Sequence, residues 1–286
     1  MSNAFDDRLI SLTVSLDEQT VTYDQDFYII AAGCKYTNGN FGECSLRIDN
    51  ISKRMRDFFA TRSTSWRPDR RNAKMILRVG RRSTGLFQVF SGNAIACNPS
   101  QPPDIGLHFK SLSMSLLLGQ VNAISAPANA TLKTICQQVA NNINYTLAYE
   151  ASINPTIGNY QFTGPAPKQI NRLNELAPIC AFADDSNASL VVIDRDGARE
   201  KTVIEISPET GMIGVPEVTE VGVRVKMLIT GEINPGVAVN LTSKINPAVN
   251  GEYVVYKLMY QIASFEAPFY WILDLKPIKF ALGVKK

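Results

Sequence analysis

Alternation of apolar and polar residues with a period of two is the feature of this sequence that most limits its fold. The segment at residues 10–16, Ile-Ser-Leu-Thr-Val-Ser-Leu, alternates without a break. Because successive side chains of a strand point to opposite faces, this segment predicts a β-strand with one buried face. Similar strand-like segments recur at residues 44–48, 75–79, 86–96 and 105–111. The chain up to about residue 116 therefore predicts a β-barrel or a β-sandwich.

The periodicity changes in the middle of the chain. Apolar residues recur with helical spacing over about 131–144 and again over about 168–182, where Pro178 must kink the helix or end its first part. Strand patterns resume after Val218 and predict a second small barrel. The expected fold class is mixed β with an α/β insertion. Its expected regions are an N-terminal barrel at 1–116, the α/β insertion at 117–194 and a C-terminal barrel at 195–286.

The composition argues against several classes of function. At 286 residues, 45% hydrophobic and 19% charged, the chain can bury a large core. Its five cysteines include no Cys-x-x-Cys pair, so they predict neither a disulfide framework nor a zinc site, and we expect buried, inert thiols. His108 is the one histidine and lies in a strand-like segment, so His-based triads and multi-His metal sites are not expected. We therefore expect no catalytic residues, no metal and no cofactor, and we do not expect an enzyme.

Two carboxylate pairs are candidates for acid–base or metal chemistry. Asp184 with Asp185, and Asp194 with Asp196, could hold a hard cation or titrate at separated pKa values. Both pairs lie in turn-like sequence, where Asp is favoured for its backbone hydrogen bonds. We therefore expect them to be solvated turn residues.

Neither a membrane span nor a leader segment is expected. The longest apolar stretches fall far short of the ~20 residues that a membrane helix needs. The first residues, Met-Ser-Asn-Ala-Phe-Asp-Asp, are acidic where a signal peptide would be basic and then apolar. We expect the chain to fold in a reducing cytoplasm.

Charge is segregated along the chain although the formal net charge is only +3. The basic segment, residues 53–82, holds eleven cations against two acids, whereas residues 184–220 hold nine acids against three cations. With its aromatic residues, the basic segment could bind nucleic acid. Alternatively it could face the acidic stretch of a neighbouring subunit, and a pI of about 8.5 favours this second interpretation. The candidate protein-interface residues are Lys53, Arg54, Arg56, Arg70, Arg71, Arg81 and Arg82.

Several segments together resemble a known family. They are Leu-Phe-Gln-Val-Phe-Ser-Gly at 86–92, the helical patterns at 131–140 and 170–177, and the late strand patterns at 221–229, 233–241 and 253–258. In this order the chain resembles the baseplate hub proteins of contractile-tailed bacteriophages, which are similar to the hub portion of type VI secretion spike proteins. The resemblance covers nearly the whole chain.

The resemblance implies a structural virion protein without chemistry of its own. It implies a homotrimer whose two barrels per subunit form a pseudo-sixfold ring, which joins the hexameric tail tube to the trimeric spike. The implied partners are further copies of this chain, the tail tube protein, the spike protein, and the tape measure and other baseplate proteins. The implied location is the tail baseplate of the virion, after assembly in the host bacterial cytoplasm.

Two other functions remain as alternatives. One is a nucleic-acid-binding protein that uses the basic segment, although stable binding of nucleic acid is not expected from so modest a pI. The other is a hydrolase that uses His108 or an aspartate pair, and it is the weakest because the sequence offers no activated nucleophile.

Overall fold

The structure, a computed structural model, describes residues 6–63, 71–117, 119–199, 203–265 and 267–278. Strands make up 49% of the chain and helices 16%, so the predicted mostly β class is confirmed. Antiparallel pairing dominates, and one large sheet contains thirteen strands.

The N-terminal region forms seven antiparallel strands and one helix. The strands are β1 (Arg8–Leu16), β2 (Gln19–Tyr23), β3 (Ile29–Tyr36), β4 (Glu43–Ile48), β5 (Lys74–Arg81), β6 (Gly85–Pro99) and β7 (Leu107–Leu112). They pair in the order β3-β4-β7-β6-β5-β1-β2. Ile10, Leu12 and Val14 of β1 are all buried, as the period-two pattern predicts.

The helix α1 (Lys53–Arg62) follows β4 and covers the core side of this sheet. Ser52 caps it, accepting a hydrogen bond from the Met55 backbone N–H with its side chain. Phe59 is fully buried and packs edge-on against Phe109, with ring centroids 6.1 Å apart. The apolar side of α1 is therefore fixed to the sheet, and its basic side faces solvent.

The middle region is the predicted α/β insertion. Its elements are a 3₁₀ helix (Ser115–Leu117), β8 (Asn122–Ser125), β9 (Ala130–Thr131), α2 (Leu132–Asn142), β10 (Thr146–Tyr149), β11 (Thr156–Ile157), β12 (Gln161–Gly164), α3 (Ala166–Leu176), β13 (Ile179–Asp184) and β14 (Ser189–Asp194). Strands β10, β14 and β13 form a small sheet, and the two helices bury a core of their own with it. The expected helix over 168–182 is wrong in its last part. Pro178 lacks the backbone N–H that would continue α3, and the next residues pair with β14 instead.

The C-terminal region adds six strands. They are β15 (Ile204–Ile206), β16 (Met212–Val218), β17 (Val223–Leu228), β18 (Ala238–Leu241), β19 (Gly251–Ala263) and β20 (Phe269–Pro277), with 3₁₀ helices at Pro208–Thr210 and Pro247–Val249. The order β16-β17-β20-β19 is antiparallel, and β18 pairs with both β19 and β15.

A single strand joins the N-terminal and C-terminal regions. The first part of β19 pairs with β18, and after a register shift between Val255 and Lys257 its second part pairs with β3. Gly33 of β3 is required there, because a Cβ at this position would lie 2.0 Å from the Glu43 carbonyl oxygen and 2.3 Å from the Tyr260 hydroxyl. The expectation of two separate sheets is therefore wrong, since the long β19 satisfies backbone groups on both sides. Among the described residues the sheet closes into no barrel.

One apolar core runs under strands of both regions. Tyr260 of β19 and Trp271 of β20 are among its largest buried side chains, and their rings meet edge-on at 6.2 Å. The same cluster contains β1 and β5 residues from the N-terminal region. The large sheet is thus one packed body, on which the insertion sits with its separate core.

Candidate assembly surfaces

Three candidate interface cations lie on the outward side of α1. Lys53 and Arg54 are exposed. Arg56 is half-buried, and its Nη1 donates a hydrogen bond to the Ile105 carbonyl at 3.3 Å. The helix therefore presents two free-standing positive charges and one that is tied to the loop before β7.

Two further candidates lie near the ends of the N-terminal strands. Arg71 is exposed and its Nε lies 3.9 Å from an Asp17 carboxylate oxygen, in the turn between β1 and β2. Arg82 donates from Nη1 to the Asp7 carboxylate at 3.3 Å, and both of these side chains are largely exposed. Arg70 lies outside the described residues.

Arg81 is not available to a partner, which corrects its assignment as an interface cation. Only 4% of it is exposed. Its Nη1 donates to the Asp6 carbonyl at 2.7 Å, and its guanidinium carbon lies 5.5 Å from the centroid of the Phe269 ring. Phe269 belongs to the C-terminal region, so the contact that buries Arg81 could not be read from the local sequence.

The basic segment therefore does not form one surface. Its described cations divide among the outward side of α1, the strand ends beside Asp7 and Asp17, and the outward side of β5. Of the candidate interface cations that the structure describes, Lys53, Arg54, Arg71 and Arg82 are exposed, as the assembly hypothesis requires.

The edge strand β16 exposes apolar side chains. It is the last strand on one side of the large sheet, and its pairing with β17 is interrupted between Ile213 and Glu217. Ile213, Val215 and Val218 are 37%, 47% and 72% exposed, and Val221 in the following turn is also exposed. We call these four residues the β16 strip. An exposed strand edge with apolar side chains is typical of a surface that pairs or packs with another chain.

Acidic residues flank the β16 strip. Glu209, Glu217 and Glu220 are all exposed. An apolar centre with a charged rim is the usual composition of a protein–protein interface. The acidic stretch was predicted from the sequence, but the β16 strip was not. The pattern that indicates the strip is the series Ile213, Val215 and Val218, which is interrupted by Gly and Pro.

Asp184 of the first aspartate pair is buried and Asp185 is half-buried, so the expectation that both are solvated turn residues is wrong. Asp184 is 5% exposed and accepts hydrogen bonds from Arg199 Nη1 at 3.1 Å and from Asn187 Nδ2 at 2.9 Å. Arg199 is equally buried and also reaches Glu150 at 3.4 Å. We call Lys35, Glu150, Asp184, Asp185 and Arg199 the buried charge cluster. Turn propensity is a local property, whereas these partners come from distant parts of the chain.

The two aspartates of this cluster titrate in opposite directions. Burial raises the pKa of Asp185, although the Tyr145 hydroxyl donates to it at 2.6 Å. Burial would also raise the pKa of Asp184, but the hydrogen bond from Asn187 and the charges of Lys35 and Arg199 outweigh it and lower that pKa. The cluster therefore contains one firmly ionised carboxylate beside one that resists ionisation.

The cluster fastens the insertion to the large sheet. Lys35 of β3 is buried, and its Nζ donates to the Ser186 hydroxyl at 2.7 Å. Gln88 of β6 donates from Nε2 to the Asp185 carbonyl at 3.1 Å. The members and partners of the buried charge cluster lie in the large sheet, the insertion and the segment after β14, which indicates a structural role for the cluster.

The remaining candidates for chemistry have structural partners. Asp194 accepts from the Ser152 backbone N–H at 3.1 Å, and Asp196 accepts from Lys276 Nζ at 2.8 Å, so the second aspartate pair is not a joint site. His108 is half-buried and its Nε2 lies 2.9 Å from the Ser45 hydroxyl. Among the described residues, no three His, Cys, Asp or Glu side chains are placed to share a metal ion.

The cysteines agree with the expectation of buried thiols in four of five positions. Cys34, Cys44, Cys97 and Cys136 are buried, and Cys180 is half-buried. Burial raises the pKa of the last three of the buried thiols to about 12, which keeps them protonated. Within the part of the chain that the structure describes, no helix has the length and apolarity to cross a membrane.

Known structures share this fold. The 43 kDa tail protein of prophage MuSo2 from Shewanella oneidensis is 8% identical, with a TM-score of 0.64 over 94% of this chain and 98% of that one. The tail protein from Neisseria meningitidis MC58 is 9% identical, with a TM-score of 0.64 over 93% and 96%. The E. coli c3393 protein, a type VI secretion component described as similar to T4 tail proteins gp27 and gp5, is 9% identical, with a TM-score of 0.57 over 87% and 73%.

At such low identity these likenesses concern the fold alone, and no curated protein sequence matches the chain. The family comparison goes further. The model of the family described as baseplate hub gp41 matches residues 9–275, which is nearly the whole chain. The resemblance drawn from the sequence is thereby confirmed, and the chain belongs to the baseplate hub gp41 family of phage tail structural proteins.

Proposed function

We propose that this protein is the tail hub that joins the hexameric tail tube to the trimeric spike as a homotrimeric ring. The observation that carries the proposal is the β16 strip, an open apolar sheet edge in a member of a baseplate hub family. An exposed strand edge with apolar side chains favours pairing or packing with another chain. The proposed location is the baseplate of the virion, with assembly in the host bacterial cytoplasm.

We propose that the ring has pseudo-sixfold character, with the two β regions of each subunit, at 1–116 and 195–286 around the insertion at 117–194, as its repeating units, although the two regions share one sheet through the pairing of β3 with β19. Each region contains one long strand with a register shift, β6 in the first and β19 in the second. Three copies would then present six comparable units to a hexameric tube. Superposition of the two regions tests this part: closely matching strand paths support it, and unrelated topologies contradict it.

A threefold ring requires a heterologous contact, in which the β16 strip meets a different surface of the next copy. Charge supports one choice of that surface. The strip is flanked by Glu217 and Glu220, and α1 presents the exposed Lys53 and Arg54. Opposite charges at the two ends of a contact steer association and fix register. We therefore propose α1 of one subunit as the neighbour of the β16 strip of the next.

The test is the stoichiometry of the purified chain with its spike, measured by native mass spectrometry. Three copies per complex are expected. Val215→Lys with Val218→Lys should abolish the trimer and leave the subunit folded, as its circular dichroism spectrum would show, since both side chains are exposed in the single subunit. Val121→Lys, at another exposed valine on the insertion, is the matched control and should assemble normally. An even-numbered ring, or normal trimers of the double variant, would overturn the proposal.

Charge reversal tests the proposed neighbour. Lys53→Glu with Arg54→Glu should weaken assembly, and Glu217→Lys with Glu220→Lys in the same chain should restore it if the two sites meet. Rescue supports the pairing. If the α1 variant and the β16-strip variant each lose assembly and their combination does not restore it, α1 contacts another partner. The proposed candidates for that partner are the tube protein, the spike protein and the tape measure protein.

A further inference from the structure

The solvent-facing side of β1, β5, β6 and β7 forms a polar surface unlike the β16 strip. Along β1 it presents Ser11, Thr13 and Ser15, which pair with Arg78, Ile76 and Lys74 of β5. Lys74 in turn pairs with Asn93 of β6, and Asn93 with Leu112 of β7. Lys110 lies two residues from Leu112 and therefore on the same side. We call this surface the hydroxyl-cation face. Its members are Ser11, Thr13, Ser15, Lys74, Ile76, Arg78, Asn93, Lys110 and Leu112.

The three cations of this face are exposed and form no ion pair with a carboxylate of the described residues. One exposed acid, Glu43 of β4, borders the face where it pairs with Leu112. Lys74 and Arg78 are four residues apart on one strand, about 13 Å at ~3.3 Å per residue. Lys110 lies two strands away from β5, about 10 Å at ~4.8 Å per strand. A DNA duplex carries about one phosphate per 1.7 Å of axis, so a duplex laid over this span brings several phosphates within reach.

The composition of the face favours a phosphate backbone over a protein. Interface cores between proteins are enriched in aromatic residues and Met and depleted in Lys and Ser. The hydroxyl-cation face has no aromatic residue, and its apolar members, Ile76 and Leu112, are only half-exposed. Phosphate oxygens accept hydrogen bonds from Lys, Arg, Ser, Thr and Asn, the residue types that fill this face.

The structure points to a contact between the hydroxyl-cation face and the phosphate backbone of a nucleic acid duplex. The contact is independent of sequence, because the face has no helix or ribbon that could enter a groove. It is also weak and sensitive to salt, because three cations release about three counterions. It does not depend on the β16 strip or on assembly into a ring, and it uses Lys110, which lies outside the basic segment.

The experiment measures binding of the full chain to a fluorescent 30-base-pair duplex of arbitrary sequence by anisotropy, from 20 to 200 mM salt. Three phosphate contacts predict a slope of about 2.7 in log Kd against log salt, or a loss of about 40-fold between 50 and 200 mM. Lys74→Gln with Arg78→Gln and Lys110→Gln should remove most of this slope. Lys133→Gln with Lys168→Gln and Arg172→Gln carries the same charge change on the exposed surface of the insertion and should retain it.

Thermal melting of both triple variants establishes that they fold. Equal loss of duplex binding in the two variants would overturn the inference, because net charge alone would then explain it. Absence of binding by the unaltered chain at 20 mM salt would overturn it as well. Tighter binding to poly-glutamate than to the duplex would assign the face to an acidic protein and would also overturn it.

Discussion

The core under the large sheet and the junction between this sheet and the insertion are both buried, but by opposite chemistry. Under the sheet, Trp271 and Tyr260 pack ring against ring among aliphatic side chains. At the junction, the buried charge cluster brings Lys35, Asp184 and Arg199 together. The core is held by apolar area removed from water, and the junction by charges that compensate each other's desolvation.

The difference predicts different kinds of sensitivity. An apolar core responds to lost volume and is indifferent to pH. A buried charge cluster responds to the loss of any one charge, because the remaining charges are left without compensation.

The largest effect is expected in the core. Trp271→Ala should lower the free energy of unfolding by about 3–5 kcal/mol, through lost burial and the cavity that remains. Chemical denaturation at two pH values is the measurement, and the loss should be the same at both. Trp271→Phe, which keeps a ring at this position, is the control and should lose less. A pH-dependent loss for Trp271→Ala would break the comparison.

The next effect separates the two aspartates of the junction. Asp184→Asn should lower the free energy of unfolding by about 3 kcal/mol at neutral pH, since Arg199 and Lys35 lose their main negative partner. Asp185→Asn should be neutral or stabilising, because it removes a carboxylate whose ionisation the fold opposes and its side-chain carbonyl can still accept from Tyr145. Equal losses in both variants would refute opposite roles for these neighbours.

The dependence on pH sharpens the same comparison. The lowered pKa of Asp184 gives stability that is present above the ordinary pKa of Asp and is lost as the pH falls below it. The raised pKa of Asp185 costs stability as the pH rises through the ordinary pKa of Asp. The deficit of Asp184→Asn should therefore shrink between pH 7 and pH 3, and any gain of Asp185→Asn should shrink too. Denaturation curves across this range decide both signs.

The smallest effect is expected for an exposed ion pair. Arg82→Ala removes the contact with Asp7, in which both side chains are largely exposed, and should change the free energy of unfolding by less than about 1 kcal/mol. Added salt should reduce the difference in the free energy of unfolding between the variant and the unaltered protein, because salt screens this ion pair. A loss as large as that of Asp184→Asn would mean that the contribution of an ion pair to the free energy of unfolding does not depend on its burial in this protein.

The sequence predicts the local parts of this fold well. The alternation in β1 sets its buried face, and the helical spacing around α2 locates that helix. Pro178 correctly predicted the end of the helix. The residues after it form the strand β13 because they pair with β14, and local periodicity does not reveal that partner.

The errors concern contacts between distant residues. Arg81 is buried by Phe269, Asp184 by Arg199 and Lys35, and β3 is covered by β19. Each of these residues has the local sequence of an exposed position or a sheet edge. Their burial follows from long-range pairing, which the sequence determines only through the whole fold. The β16 strip was missed for the opposite reason, because its apolar residues gave a strand pattern without indicating which side stays open.

The pairing of β3 with β19 has a consequence for synthesis. Gly33 and Tyr260 are partners 227 residues apart, so at 5–20 residues per second the ribosome needs about 11–45 s to deliver β19 after β3 has emerged. During that interval one edge of β3 has no partner on the nascent chain. Apolar strands with an open edge are the segments through which growing polypeptides stick to one another. The late-made strand therefore ends a period of exposure during which only the opposite edge of β3 is covered, by its early partner β4.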